Sequence, residues 1–468
     1  RLVKKGHAVA TRFVARSSTK GRMGCCESRQ DPFIIGGREA SYYQSQDADE
    51  SSFSVVVRAS EMILASIGDD PGQQAATPAM LRSARLAILE LPRDTTTVPE
   101  VERKDLKRMV NILQREVENT DIILTGLVLL RYLAQRQSNQ KAVASEDGVQ
   151  FVLRAMLAHD ANSTLQGVAC DTLGNLLQEE ENNRQFLKLK GVDAIFGAVK
   201  SNLANTRFLE AACFLLGNVA SSEEGLKQIT SRGGSSIVLS ILEAHQNDVD
   251  LMKELLFLLS NMVQTEDVCA ELIGHNAIES VASVMELNKE VAEVQSLGCS
   301  CLCHLCGHES SMASLLTVDD SEGLSIVATI ITALQLHPTD PQLVRRAASA
   351  IIALSSHEQL VPGLVGQTDI IVALIVGGRN MIKLGEQETQ ALVHVLKALE
   401  SLAKSVKNRR IMMSLKEEFV MAMTEEEEEE QGRIVPLCLA VCQSSSCRSA
   451  SVSRSLSLLS KVIEGLEG

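Results

Sequence analysis

The chain contains no tryptophan, and aromatic residues make up only 3% of its 468 residues, although 45% of them are hydrophobic. A core of this composition is built from Leu, Ile, Val and Ala, whose side chains suit close packing between helices. The hydrophobic runs are short, since the stretch 370–376 is far below the roughly 18 to 20 residues that cross a bilayer. The composition therefore favours an all-α fold and offers no candidate for a membrane span.

Basic charge is in the minority, because the net charge at pH 7 is −14. No stripe of Lys or Arg overrules this average, so the surface repels phosphate backbones and nucleic acid is not expected as a partner. Motifs of catalysis are missing as well: there is no Gly-rich phosphate loop, nucleophile elbow or His-Glu-x-x-His element, and the histidines are scattered one per repeat. We therefore predict no enzymatic activity, no cofactor and no small-molecule substrate.

A spacing of 43 residues dominates what the chain does contain. It separates consecutive members of one column of side chains, and a second column keeps the same step. A period of this length made of helical segments is typical of the armadillo and HEAT class, in which stacked neighbours supply the core. The first column is Tyr132, Asn175, Asn218, Asn261 and His304, and the second is Gly148, Gly191, Gly234 and Ala277.

Each unit of 43 residues is predicted to contain three helices. Around Asn175 these are a long helix at about 163–178, a short one at about 181–189 and a third at 192–200. Gly191 falls at the turn between the last two, where we expect either a left-handed residue or a close backbone approach.

After His304 the step lengthens to 48 or 49 residues, because the segment 334–342 is inserted, and units continue through Ala353 and Ser401.

Residues 1–22 carry basic but no acidic side chains, which is compatible with an organelle transit segment, with sequence upstream of the true start, or with a plain basic arm. We divide the chain into a basic, acylated segment and linker at 1–52, capping helices at 53–118, a solenoid at 119–424, an acidic linker at 425–432 and C-terminal capping helices at 433–468.

The phrase A-C-x-x-L-x-N-L at 169–176, repeated with Val for the last Leu at 212–219, resembles the armadillo-repeat family. The resemblance implies a right-handed α-solenoid of three-helix repeats, in which the third helix of each repeat lines a concave groove. It also implies that Asn175, Asn218 and Asn261 hydrogen-bond the main chain of an extended partner, since a carboxamide offers both a donor and an acceptor. We expect alanine at these positions to weaken partner binding and to leave thermal stability nearly unchanged.

Importin-type armadillo grooves carry a Trp one helical turn before this Asn, where it grips the stems of Lys side chains. The residues at these positions here are Asp171, Phe214, Phe257 and Ser300, so the resemblance does not predict capture of basic import peptides. Two interpretations of the phenylalanines stay open, since they either wall the groove or fill the core. The predicted protein-binding residues are Asn175, Asn218, Asn261, Phe214, Phe257 and His304.

Residues 23–28 read Met-Gly-Cys-Cys-Glu-Ser, which matches the pattern for N-myristoylation at Gly24 if translation starts at Met23. Palmitoylation of Cys25 or Cys26 would supply the second signal that stable anchoring needs. A short acylated head followed by a solenoid resembles the acylated armadillo-only adaptors of the fungal vacuole and the apicomplexan rhoptry. We therefore predict a cytoplasmic scaffold or adaptor that binds a protein partner at the cytosolic face of a membrane; the alternative is a soluble transport or assembly adaptor without an anchor.

Four of the twelve cysteines lie close together in the sequence beside two histidines, and zinc prefers thiolate and imidazole ligands. These cysteines are Cys299, Cys301, Cys303 and Cys306. Their register argues for a different role. One repeat earlier, the same columns hold small or apolar residues, which predicts that these thiols are buried as small hydrophobes in a reducing compartment. No metal site is predicted.

Overall fold

The computed structural model describes residue 55 and residues 77–91, 98–307, 326–356, 368–384, 388–405, 407–408 and 410–412. Within these residues the secondary structure is helical and no strand occurs, as predicted. The predicted acidic linker, the C-terminal capping helices and the acylation residues Gly24, Cys25 and Cys26 lie outside them.

Seven long helices recur through the described chain. The first five begin at a constant step of 43 residues, and the last two follow at the longer steps that the insertion at 334–342 predicts. The long helices are Thr120–Leu133, Ser163–Leu176, Thr206–Ala220, Val249–Met262, Ala292–Leu305, Pro341–Ser355 and Thr389–Leu402.

The other helices form two further sets and a pair at the N-terminal end. The short helices are Gln137–Ala144, Glu180–Lys188, Glu223–Thr230 and Glu266–Ile273. The middle helices, which follow them, are Gly148–Ala158, Gly191–Ser201, Gly234–Ala244, Ala277–Leu287, Ile326–Leu336 and Thr368–Leu384. The N-terminal pair is Pro78–Leu89 and Arg103–Arg115. Around Asn175 the predicted bounds agree with the structure to within two residues.

A column of capping residues starts most of the long helices. In each case the side-chain oxygen accepts a hydrogen bond from a backbone N–H of the first turn, which otherwise has no partner inside the helix. The Asn162 oxygen, for example, accepts from the Leu165 N–H at 3.1 Å. The capping residues are Asn119, Asn162, Asn205, Asp248 and, after the longer step, Asp340.

The turn before each middle helix shows which of the two expected demands applies to its glycine. The left-handed residue is the one before Gly191, since Lys190 has a φ of 58°. Gly191 is instead required by close approach, because a Cβ there would overlap the ring of Phe186. The other left-handed residues are Asp147, Gly233 and Asn276, each one position before the column of glycines.

The three sets of helices stack in layers, and each long helix packs on the next along the chain. The long helices make more contacts with one another than the middle helices make with their own neighbours. The resemblance to armadillo repeats implies that this layer of long helices lines the concave groove. At the N-terminal end, Arg85 ties helix 78–89 to the first long helix through Asp121 and the Thr125 hydroxyl, at 3.3 and 3.0 Å.

One hydrophobic core runs through all of these layers, and its members are mostly Leu, Ile, Val and Ala. Among the described residues, no helix combines the length and the apolar character that crossing a lipid bilayer requires.

Candidate protein-binding groove

The asparagine column lies in the last turn of the long helices, one or two residues before each helix ends. Every one of the three amides donates a hydrogen bond to a backbone carbonyl of the preceding repeat, 44 residues earlier in the chain. The bonds run from Asn175 Nδ2 to Arg131 O at 3.2 Å, from Asn218 Nδ2 to Gly174 O at 3.0 Å and from Asn261 Nδ2 to Gly217 O at 2.9 Å.

These acceptors belong to the last turn of a long helix, where carbonyl groups have no partner inside the helix. Each asparagine thus caps the helix of its neighbour and joins two repeats. Removing such a bond costs stability, so the expectation that alanine leaves stability nearly unchanged is corrected by this geometry.

The capping bond uses only one of the two amide hydrogens. The second hydrogen and the Oδ1 atom of Asn175, Asn218 and Asn261 have no hydrogen-bond partner among the described residues. Asn218 and Asn261 are partly exposed, whereas Asn175 is 8% exposed. The bond holds each amide in one orientation, so each long helix presents a donor and an acceptor in a fixed position.

Phe214 and Phe257 lie one helical turn before Asn218 and Asn261, and each packs on a glycine of the preceding repeat. A Cβ at Gly174 would overlap the ring of Phe214, and a Cβ at Gly217 would overlap the ring of Phe257. The two rings lie 6.5 Å apart between centroids at an interplanar angle of 31°. Phe214 is only 4% exposed and fills space between the helices, while Phe257 keeps part of its ring exposed.

The equivalent pair one repeat earlier is an ion pair, which joins Arg131 and Asp171 at 3.3 Å. Both side chains are largely buried, so the carboxylate of Asp171 is already partnered where an importin-type groove would carry an aromatic residue. The Arg131–Asp171 ion pair therefore occupies the place that a phenylalanine packed on a glycine occupies in each of the next two repeats. The floor of the groove therefore changes from charged to aromatic along the solenoid.

The two ends of the predicted column differ from its centre. Tyr132 is 4% exposed, and its hydroxyl is buried with no hydrogen-bond partner among the described residues. His304 is exposed on the surface. The structure thus joins Asn175, Asn218 and Asn261 in one ladder and buries Tyr132 in the core. Whether these residues bind a partner stays a prediction.

Comparison with known proteins rests on structure alone, since no family model and no curated protein matches the chain. The structure is similar to a solved β-catenin chain from a study of a phosphorylation switch that controls the interaction between cadherin and β-catenin. The TM-score is 0.61 over 88% of this chain and 79% of that one, at 15% sequence identity. The fold is an armadillo-type α-solenoid. The identity is too low for the comparison to carry more than the fold.

The cysteines of the fifth long helix of this solenoid occupy core positions. Cys299, Cys301 and Cys306 are buried, and burial raises the pKa of Cys299 and of Cys301 to about 12. The Cys301 thiol donates to the carbonyl of Leu256 at 3.4 Å, and one of its column partners, Thr172, donates in the same way to Leu127 at 3.1 Å. Neutral, buried thiols are poor metal ligands. No metal-binding group of three or more such side chains occurs in the described part of the chain.

A further column was visible in the sequence but not recognised. His159, Asn202, His245 and Asn288 also follow one another at 43 residues, and His337 comes after the longer step. All five cap the C-terminal end of a middle helix or follow it directly. Four of them bond a loop carbonyl of the preceding repeat: His159 bonds Val117 O at 2.7 Å, His245 bonds Leu203 O at 3.0 Å, Asn288 bonds Gln246 O at 3.1 Å and His337 bonds Lys289 O at 2.8 Å.

Three of the nine histidines, His159, His245 and His337, therefore form a second ladder between repeats together with Asn288. Their common spacing was the signal that could have found them. Because this ladder joins the loops between middle and long helices, its role is structural and it lies apart from the asparagine ladder.

Proposed function

We propose that this protein is a non-enzymatic scaffold that holds an extended segment of a partner protein along the concave face of the long helices. The observation that supports the proposal is the ladder of Asn175, Asn218 and Asn261, each held in one orientation by its neighbour. An extended peptide presents N–H and C=O groups along its length, and an amide with a fixed donor and a fixed acceptor can pair with both. Binding through the main chain makes few demands on the sequence of the partner.

The orientation of the amides also reduces the cost of binding. A free asparagine side chain would lose rotamer freedom when a partner arrives, and that loss lowers affinity. Here the bond from Nδ2 to the preceding repeat has already immobilised the side chain. The ladder is thus preorganised, and each rung is available at a regular interval along the groove.

The test uses the full chain and a displayed library of short random peptides. A peptide selected on the wild type is synthesised, and its dissociation constant is measured for the wild type and for the double variant Asn218→Ala, Asn261→Ala. Loss of two amide contacts is expected to weaken binding about tenfold or more. The unfolding temperature of the same variant is expected to fall as well, because two hydrogen bonds between repeats are lost.

A matched control separates binding from stability. Asn182 is fully buried in a short helix and donates to Gln140 O at 3.1 Å and to Leu176 O at 2.8 Å, away from the concave face. Asn182→Ala should lower the unfolding temperature and leave the peptide affinity unchanged. If both variants weaken the peptide equally, or if selection returns no peptide that depends on the asparagines, the proposed groove is refuted.

We also propose that the scaffold is tethered to the cytosolic face of a membrane. Gly24, Cys25 and Cys26 support this, since a myristoyl and a palmitoyl chain together hold a protein stably where one chain binds only reversibly. The solenoid would then present its groove to partners near that membrane.

The tether is tested with a fluorescent fusion that starts at Met23. Gly24→Ala should release the fusion into the soluble fraction, and Cys25→Ser with Cys26→Ser should release most of it, while Glu27→Gln, at a position that the pattern leaves open, serves as the control. Mass spectrometry of the mature N-terminus checks the modification directly. A Gly24→Ala fusion that stays on the same membrane would show that the scaffold is not held by acylation, and would favour the soluble adaptor.

A further inference from the structure

The charges on the long helices divide the groove into two parts. The first five long helices contain six acidic residues and three Lys or Arg residues, and each of these three cations has a carboxylate partner. The positive charge in this part of the groove is therefore already compensated. The pairs are Arg131 with Asp171 at 3.3 Å, Arg207 with Glu210 at 3.7 Å and Lys253 with Asp250 at 3.2 Å.

The last two long helices, 341–355 and 389–402, have the opposite balance of charge. They contain three Lys or Arg residues, Arg345, Arg346 and Lys397, and a single acidic residue. We call the exposed face of these two helices the basic end of the groove. A surface with an excess of positive charge attracts segments that are rich in carboxylates.

Two of these cations lie close together on the groove face. Ser349 and then Lys397 continue the column of Phe214 and Phe257 after the longer steps, and Arg345 lies one helical turn before Ser349. The two helices pack on each other. Packed helices lie about 8 to 10 Å apart and one turn rises about 5.4 Å, so the backbones of Arg345 and Lys397 are roughly 11 Å apart.

Arg345 and Lys397 differ from the cations of the earlier helices, because neither forms a salt bridge within the described part of the chain. Lys397 is exposed, and Arg345 is partly exposed and donates to the neutral side chain of Gln342 at 3.1 Å. Arg346 likewise donates to a neutral group, the Ser296 hydroxyl, at 2.9 Å. Carboxylates can thus bind Arg345 and Lys397 without first breaking an ion pair.

The chain itself contains a segment of the complementary charge. Residues 425–430 are six consecutive glutamates, which lie outside the described residues. A block of like charge repels itself, and this repulsion falls when cations lie beside the block. Six extended residues span about 20 Å, which is long enough to pass both Arg345 and Lys397.

This acidic run is also within reach of the basic end. The described residues end at Met412, and Asn408 Nδ2 donates to the Leu402 carbonyl at 3.1 Å, which keeps this part of the chain beside the end of the last long helix. The thirteen residues that lead from there to Glu425 span up to about 45 Å. Lys397 lies only about 8 Å along the helix from Leu402.

We propose that the acidic run 425–430 binds the basic end of the groove within the same molecule and covers it. The shared chain gives the run an effective concentration on the order of millimolar, so carboxylates of another molecule must displace it. The proposal does not depend on the proposed function, because the surface and its occupant both belong to this chain.

A zero-length cross-linking reagent tests the contact in the wild-type full chain. A carbodiimide joins a carboxylate to an amine only when the two groups touch, and mass spectrometry identifies the pair. At low salt we expect cross-links from the run 425–430 to Lys397, and at about 0.5 M salt we expect them to disappear, because salt screens exposed charges. Lys200 and Lys227, which are exposed in earlier repeats, are the controls and should not be joined to the run.

A mixture of isotopically labelled and unlabelled chains shows whether the two cross-linked groups belong to one molecule. Cross-links within one isotopic form support the proposal. Cross-links between the two forms would mean that the run of a second copy occupies the basic end. The absence of any cross-link to Lys397 at low salt would mean that the run does not bind there. Either of these last two outcomes overturns the proposal.

A second measurement uses a synthetic peptide of residues 423–432 and the full chain in which all six glutamates are replaced by Gln. This replacement should open the basic end, so the peptide should bind the variant about tenfold more tightly than the wild type. Adding Arg345→Gln and Lys397→Gln to the variant should weaken the peptide about tenfold or more. Adding Lys200→Gln and Lys227→Gln instead removes the same charge elsewhere and should change the affinity by less than about twofold.

Equal affinity of the peptide for the wild type and for the glutamine variant would show that the basic end is open to acidic segments of other molecules, and this would overturn the proposal. The same holds if the peptide binds the glutamine variant equally well with and without Arg345→Gln and Lys397→Gln. The cross-linking result in the wild type does not depend on how any variant folds.

Discussion

The solenoid keeps one scaffold along its length but changes the surface of its groove between two regions. From the long helix 163–176 to the long helix 249–262, asparagines bridge the repeats and phenylalanines lie on glycines. From the long helix 292–305 onwards, the asparagine column continues with His304, Ala353 and Ser401, and the phenylalanine column continues with Ser300 and, after the longer step, Ser349. The long helices still pack on one another in this region.

This difference separates residues that build the array from residues that specialise it. Core leucines and the caps of most long helices recur in both regions because every repeat must bury its apolar face and satisfy its first turn. The groove columns vary between the two regions. The region from 163 to 262 carries the asparagine ladder.

The largest expected effect that tests this comparison is the loss of Phe214. Phe214→Ala should lower the free energy of unfolding by about 3 to 5 kcal/mol, because it leaves a cavity over Gly174 between two helices. Urea unfolding followed by circular dichroism measures the change. The matched variant in the second region is Ser349→Ala, with an expected change within about 0.5 kcal/mol. Equal losses at the two positions would mean that the aromatic pair does not distinguish the regions.

A smaller effect is expected from the glycine beneath that ring. Gly174→Ala should destabilise the fold by about 1 to 3 kcal/mol, since the new methyl group meets the ring of Phe214. The control is Ser260→Ala, because Ser260 belongs to the same column as Gly174 and already has a Cβ atom. It should change the free energy of unfolding by less than about 0.5 kcal/mol. In the double variant Gly174→Ala, Phe214→Leu the two changes should couple, and a purely additive result in the urea series would contradict the contact.

The smallest expected effect is a loss of stability at alkaline pH, and it arises from Cys301 in the second region. The pKa of Cys301 is raised from 9.0 to about 12 by burial, so the folded state keeps a proton that the unfolded state loses. The contribution of this thiol to the free energy of unfolding is fully present below pH 9 and is lost as the pH rises from 9 to 12, by roughly 1 kcal/mol at pH 10. Cys301→Thr, which copies the donor at Thr172, should unfold with a flatter pH dependence. The same slope in both proteins would show that this thiol does not contribute.

Much of the fold was predictable because periodicity is a property of the chain itself. The long, short and middle helices around Asn175 were predicted to within two residues, and the longer step after His304 was predicted from the insertion. Of the two demands that the sequence allowed at Gly191, the close approach of the Phe186 ring applies, while the left-handed φ belongs to Lys190. A spacing pattern cannot distinguish these two demands.

The candidate site was predictable in its columns and not in its contacts. The sequence identified Asn218 and Asn261 as members of one column. Their spacing did not predict that each amide would donate a hydrogen bond to a carbonyl of the neighbouring long helix. That reach depends on how far one repeat is displaced against the next. The same holds for Phe214 and Phe257, whose two open interpretations were separated only by the exposure of each ring.

The amino-acid sequence alone determined that this protein is an array of helical repeats, because a recurrence of 43 residues places the same side chains on the same face of every unit. Only the tertiary structure decided what those side chains touch. The distance between stacked helices, set by glycines, capping bonds and ring size, determines whether an amide faces a neighbour or a partner, and where a row of rings ends.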